Sequence, residues 1–204
     1  MKLPTSLSDE ELTKYADEHI FYEIDMLAWT ASFLIAMKHS NPSGPLATAV
    51  SNSFLDAFAV HARNLVDFLY KRDSESDQET DIVVQDYVDG SKLEGVLPEM
   101  TSALGLVNRK ANKQVAHLTI ERLVEFETQG KEWKFGQIAV DIMSALNAIS
   151  HLFPPAVTSE AFRQMIIRPP NSLIQISARE DVKAASWPSG LILNVDFNPR
   201  HIST

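Results

Sequence analysis

A histidine with basic neighbours stands near the start of a predicted helix in the second half of the chain. The histidine is His117, and the cations around it are Arg109, Lys110, Lys113 and Arg122. An imidazole can act as general acid or base near neutral pH, and lysines beside the free N–H groups of a helix start can bind phosphate. The candidate catalytic residues are therefore His117 and Asn112, and the candidate binding residues are Lys110 and Lys113. A structural His117, buried and held by one hydrogen bond, is the alternative.

A second histidine, His61, lies on the apolar face of an earlier predicted helix. It is either a core or groove histidine satisfied by a hydrogen bond, or part of a binding site with Arg63 and Asp67. Arg63 and Asp67 are four residues apart, so they can pair on the surface of that helix. We expect the hydrogen-bonded histidine, and we expect His117 to face this helix near His61 or Arg63.

Other familiar chemistry is missing from the sequence. The chain has no cysteine, which excludes disulfides, thiolate metal sites and a cysteine nucleophile. It has no P-loop, GxGxxG, GxSxG or HExxH motif, and no histidine follows a glutamate by three residues. The acidic segment 73–81 alternates carboxylates, but Gln78 and Val84 stand where a calcium loop needs Gly and Glu. We expect neither a metal nor a cofactor.

The composition is that of a globular protein with an acidic surface. Of 204 residues, 45% are hydrophobic and 22% are charged, with a net charge of -9. This charge opposes non-specific nucleic-acid binding, so RNA is a possible partner only through the local basic cluster. The start of the chain has no apolar signal-peptide segment, and the most apolar stretch, residues 26–37, is short for a membrane span. We therefore expect a cytoplasmic protein that does not bind membranes.

Two long helices account for the first third of the chain. Ser8 and Glu11 form a capping-box pattern, and apolar residues then recur at helical spacing as far as Lys38 and His39. Residues 41–45 break the helix, and a second one follows from Pro45 to residues 71–72. The apolar face of the second helix is predicted to comprise Leu46, Val50, Phe54, Phe58, His61, Leu65 and Phe68.

Shorter elements complete the predicted architecture. Helices are predicted over residues 97–106, with Pro98 in the first turn, and over 112–128, 133–152 and 159–166. Residues 173–177 and 191–197 have the pattern of strands. We predict an all-α bundle of four to five helices, built on two long antiparallel helices, in a domain spanning 1–168. A short β-prone tail, 169–204, would pack on the bundle or on a partner chain.

This arrangement resembles the HEPN superfamily, on the strength of the bundle over residues 8–152 and of a polar residue, four spacers and His117. The resemblance implies a small helical bundle that often dimerises and in many members cleaves RNA without a metal. The family motif is Arg, four to six spacers, then His. Here those positions hold Asn112, Ala111 and Lys110, and Arg109 lies one residue too far.

Three functions follow as candidates. The first is a non-catalytic, HEPN-like interaction module that forms a homodimer, with an unassigned biological role and an unknown protein partner. The second is a metal-independent ribonuclease with His117 as general acid or base. The third is a helical bundle that binds a small molecule in a pocket including His61. The net negative charge and the absence of the motif arginine favour the first.

Overall fold

The computed structural model describes residues 7–71, 81–111 and 133–167, and these residues form an all-α bundle. Within these ranges there is no strand, as predicted. The predicted helix at 112–128 and the β-prone tail at 169–204 lie outside the described residues.

The first long helix, α1, spans Asp9–Ser40 and begins as its sequence predicts. The Ser8 hydroxyl accepts a hydrogen bond from the N–H of Glu11 at 3.3 Å, and the Glu11 carboxylate accepts one from the N–H of Ser8 at 2.8 Å. One π-helical turn, Ala16–Ile20, interrupts its regular winding. The helix ends at Asn41, whose left-handed backbone (φ 44°) is a common helix C-cap conformation.

The second long helix, α2, spans Pro45–Tyr70 and runs antiparallel to α1 after the short turn. The rings of Phe33 and Phe54 stack between them, with centroids 3.7 Å apart. Burial on α2 begins only at Phe58, so the predicted core stripe is wrong at its start. Leu46 is 77% exposed. Phe54 packs against the ring of Phe33 on α1. Phe58 contacts Trp133 and Phe135, so the burial of α2 begins where this later part of the chain covers it.

The remaining described elements are short, apart from one helix. They are a 3₁₀ turn at Val84–Asp86, α3 at Gly90–Leu93, α4 at Ser102–Gly105, α5 at Val107–Lys110, α6 at Phe135–Ile149, a 3₁₀ turn at Ser150–Leu152, and α7 at Glu160–Ile167. The predicted helix at 97–106 starts too early, because the Thr101 hydroxyl caps α4 by accepting from the N–H of Leu104.

Helix α6 lies at the centre of the described bundle. Ile142, Leu146 and Ile149 are fully buried, and α6 packs against α1, α2 and α7. By length and composition alone, helix α1 could also cross a membrane. The sequence stretch 26–37 is short for a span, but it is only part of this longer helix. A core helix passes the same test, and Ile24 and Leu27 of α1 are buried in the bundle.

Candidate functional site

His61 contacts α1 through a short hydrogen bond. Its Nδ1 lies 2.7 Å from Oε2 of Glu23, and its ring meets the ring of Tyr22 edge-on at a centroid distance of 5.6 Å. Only 8% of His61 is exposed. Because a carboxylate can only accept, Nδ1 carries the proton of this bond. This is the geometry of a histidine satisfied by one partner, and it joins the two long helices.

Glu23 was not among the residues singled out by the sequence. The available signal is the short connection between the long helices. Counting outward equally from the turn at residues 41–44 pairs His61 with residue 24, one position from Glu23. The periodicity of a single helix does not show which residue of the other helix lies opposite His61.

Arg63 and Asp67 form the ion pair that their spacing predicts. Nε of Arg63 lies 3.6 Å from Oδ2 of Asp67. The other carboxylate oxygen accepts a hydrogen bond from Nδ2 of Asn108 at 2.6 Å, which attaches α5 to α2. His61 and Arg63 are two residues apart, roughly 200° around a helix. The structure therefore directs His61 to α1, and the Arg63–Asp67 pair adjoins α5.

Lys110 lies against an aromatic ring. Its ammonium nitrogen is 5.6 Å from the ring centroid of Trp133, within the range of a cation–π interaction. Trp133 is buried and touches Phe58, so the contact holds the end of α5 on the bundle. Three other candidates, Asn112, Lys113 and His117, lie outside the described residues. Whether His117 faces His61 or Arg63 stays a prediction.

Among the residues that the structure describes, no group of three or more histidine, aspartate or glutamate side chains is arranged to hold a metal ion.

Asp25, one turn before Trp29 on α1, is a half-buried carboxylate with a raised pKa. Its burial raises the pKa of the Asp25 carboxyl, and a hydrogen bond with Trp29 partly offsets that rise.

A feature that sequence analysis missed is a partly exposed, mostly apolar line along α2. We call it the α2 seam. It consists of Leu46, Val50, Ser53, Ala57 and Val60. Leu46 is 77% and Val60 48% exposed. The sequence placed Leu46 and Val50 in the core, because a helical period shows which residues share a face but not which face is buried.

Exposed aromatic residues lie on the side of α1 that contacts α2. Tyr22 is 52% and Trp29 50% exposed, and with Phe33 they share one side of the helix by their spacing. Tyr22 touches His61 and Phe33 touches Phe54, so this side of α1 lies next to α2.

The same part of the chain is almost without charge. Between residues 26 and 62 the only charged side chains are Lys38 and Asp56, although 22% of the whole chain is charged. The hairpin of α1 and α2 thus has a nearly neutral end at its turn, while acidic residues such as Asp9, Glu10 and Glu11 stand at the other end of α1.

Comparisons with known proteins found no match for this chain among family models, curated proteins or solved structures. The fold and the contacts define an all-α bundle built on an antiparallel helical hairpin. The HEPN resemblance rests on the sequence alone and stays a prediction.

Proposed function

We propose that this protein is a HEPN-like helical interaction module that forms a homodimer and does not catalyse a reaction. The observation that supports this best is the neutral, apolar end of the α1–α2 hairpin, with Leu46, Val60 and Trp29 each about half exposed or more. Depletion of charge together with exposed aromatic residues is typical of the centre of a protein–protein interface.

Three of the candidate binding residues are engaged in contacts within the described fold. His61 is bonded to Glu23, Arg63 is paired with Asp67, and Lys110 is held over Trp133. His61 and Lys110 join different elements through these contacts, whereas Arg63 pairs within α2. Such contacts explain the residues as parts of the scaffold.

Analytical ultracentrifugation of the purified full chain tests the proposal. We expect a species of twice the chain mass at micromolar concentration. We also expect no cleavage of a labelled single-stranded RNA in the presence of EDTA. A monomer under these conditions would contradict the homodimer, and metal-independent cleavage would contradict the non-catalytic role.

A ribonuclease is the second candidate, and one contact favours it. Asn108 attaches the residues just before the basic cluster to Asp67, beside the partly exposed Arg63. In this proposal His117 acts as general acid or base, while Asn112, Lys110 and Lys113 hold phosphate. It requires wild-type protein to cleave RNA in EDTA, and His117→Ala to abolish cleavage while the urea midpoint is unchanged.

The third candidate, a small-molecule pocket that includes His61, requires the imidazole to exchange Glu23 for a ligand. A ligand would then have to replace a 2.7 Å hydrogen bond that already satisfies Nδ1. For this reason we rank it below the other two.

A further inference from the structure

We propose that the α2 seam is the homodimer interface and that it packs antiparallel against the α2 seam of a second copy. This inference rests on the proposed homodimer and adds its surface and its geometry. Four observations support it: the spacing of the seam, its register, the distribution of charge and the exposed aromatic residues of α1.

The spacing of the seam is that of a helix–helix contact. Its residues are separated by four, three, four and three positions, as are the a and d positions of a coiled coil. The stripe of α2 that faces the bundle, which includes Phe58, Ala62 and Leu65, lies about 120° around the helix from Leu46. Helix α2 therefore has two apolar stripes, one in the core and one directed at solvent.

The register favours an antiparallel pair centred on Ser53. Leu46 and Val60 are each seven positions from Ser53, so in this pairing Leu46 of one copy meets Val60 of the other. Val50 and Ala57, three and four positions from Ser53, then lie within one residue of facing each other, and the small side chains of Ser53 and Ala57 allow a close approach of the axes. An antiparallel pair also opposes the helix dipoles, and it separates the two Asp56 carboxylates that a parallel pair would align.

The charge distribution favours a second copy over a membrane. Two chains with a net charge of -9 repel each other, and this repulsion is weakest if they meet through the segment 26–62, in whose sequence Lys38 and Asp56 are the only charged residues. Helices that bind membrane surfaces carry Lys and Arg for anionic lipids, which this segment lacks apart from Lys38. Trp29 and Tyr22, on the side of α1 that contacts α2, supply aromatic area at the edge of the contact.

A charge-exchange experiment tests both the surface and the orientation. Leu46→Glu and Val60→Lys are each expected to weaken the dimer by about tenfold or more in sedimentation equilibrium, because each places an unpaired charge in an apolar contact. An equimolar mixture of the two variants is expected to recover dimer, since Glu meets Lys across an antiparallel contact. A parallel contact would instead be restored by mixing Leu46→Glu with Leu46→Lys, which would overturn the orientation.

Met100→Glu is the matched control, because Met100 is an apolar residue that is 44% exposed outside the seam. This variant is expected to dimerise like the wild type. Far-UV circular dichroism spectra equal to that of the wild type would show that all variants fold. If the wild type is dimeric and both seam variants remain so, the seam is wrong while the homodimer stands.

A monomeric wild type would overturn the homodimer and the seam together. In that case, co-sedimentation of the wild type but not of Leu46→Glu with phosphatidylcholine vesicles would assign the surface to lipid.

Discussion

At the scale of single residues, the Glu23–His61 hydrogen bond ties the two long helices together. His61→Ala would leave the Glu23 carboxylate partly buried without its partner, which is expected to cost about 1–3 kcal/mol of unfolding free energy. Urea denaturation measures this loss. His151→Ala, at an exposed position, serves as the control and should leave the midpoint unchanged. Equal stability of the two variants would contradict a structural role for His61.

Tyr87 makes stability sensitive to alkaline pH. Its buried hydroxyl donates to the carbonyl oxygen of Leu12 at 3.0 Å, and burial raises the pKa of Tyr87 well above the ordinary 10.0, with Tyr15 and nearby carboxylates adding to the rise. The folded state thus binds this proton more tightly than the unfolded chain. The resulting stability is complete below pH 10 and is lost as the pH rises from there through the folded pKa.

We therefore expect the urea midpoint of the wild type to fall above pH 10. Tyr87→Phe should be about 1 kcal/mol less stable at neutral pH, because it lacks the bond to Leu12, and its midpoint should fall less steeply in alkali. Burial also raises the pKa values of Tyr15 and Tyr70, so some alkaline loss remains. An alkaline fall identical to that of the wild type would contradict the assignment to Tyr87.

At the scale of elements, the sequence predicts what is local. The capping box at Ser8 and the break at residues 41–45 bound α1 and α2 because each signal acts within a few residues. The exposure of Leu46 was not predictable in this way, since it depends on where α6 packs. The Arg63–Asp67 pair was predictable because both residues belong to one helix, whereas the Glu23 partner of His61 comes from another.

Thr101 shows how a tertiary contact sets a helix boundary. Its hydroxyl accepts from the N–H of Leu104 and donates to Oδ2 of Asp141 at 2.7 Å, so the start of α4 is fixed against α6. Pro98 indicates a helix start from the local sequence alone, and the contact between Thr101 and Asp141 cannot be predicted from it. Thr101→Ala should destabilise the protein by about 1 kcal/mol in urea denaturation, whereas Thr101→Ser, which keeps the hydroxyl, should be close to the wild type. If Ser and Ala variants are equally destabilised, the cap does not set this boundary.

At the scale of the whole molecule, charge and apolar surface occupy different parts. The acidic residues that open α1 stand far along that helix from the turn, and the end of the hairpin beside the turn carries the α2 seam. A dimer formed through the seam would therefore combine an almost neutral contact with a long-range repulsion between two acidic chains. Added salt screens this repulsion and so favours the dimer, whereas it would weaken an interface that ion pairs hold together.

The dimer is accordingly expected to tighten as salt is raised. Between 0.1 M and 1 M NaCl the Debye length falls from about 10 Å to about 3 Å, which screens the repulsion between chains of net charge -9 while the apolar seam is little affected. Sedimentation equilibrium at the two salt concentrations should give a several-fold lower Kd at the higher one. The Leu46→Glu variant should stay weak at both, because screening does not restore its apolar contact. A Kd that rises with salt would mean that ion pairs, rather than the seam, hold the two copies together.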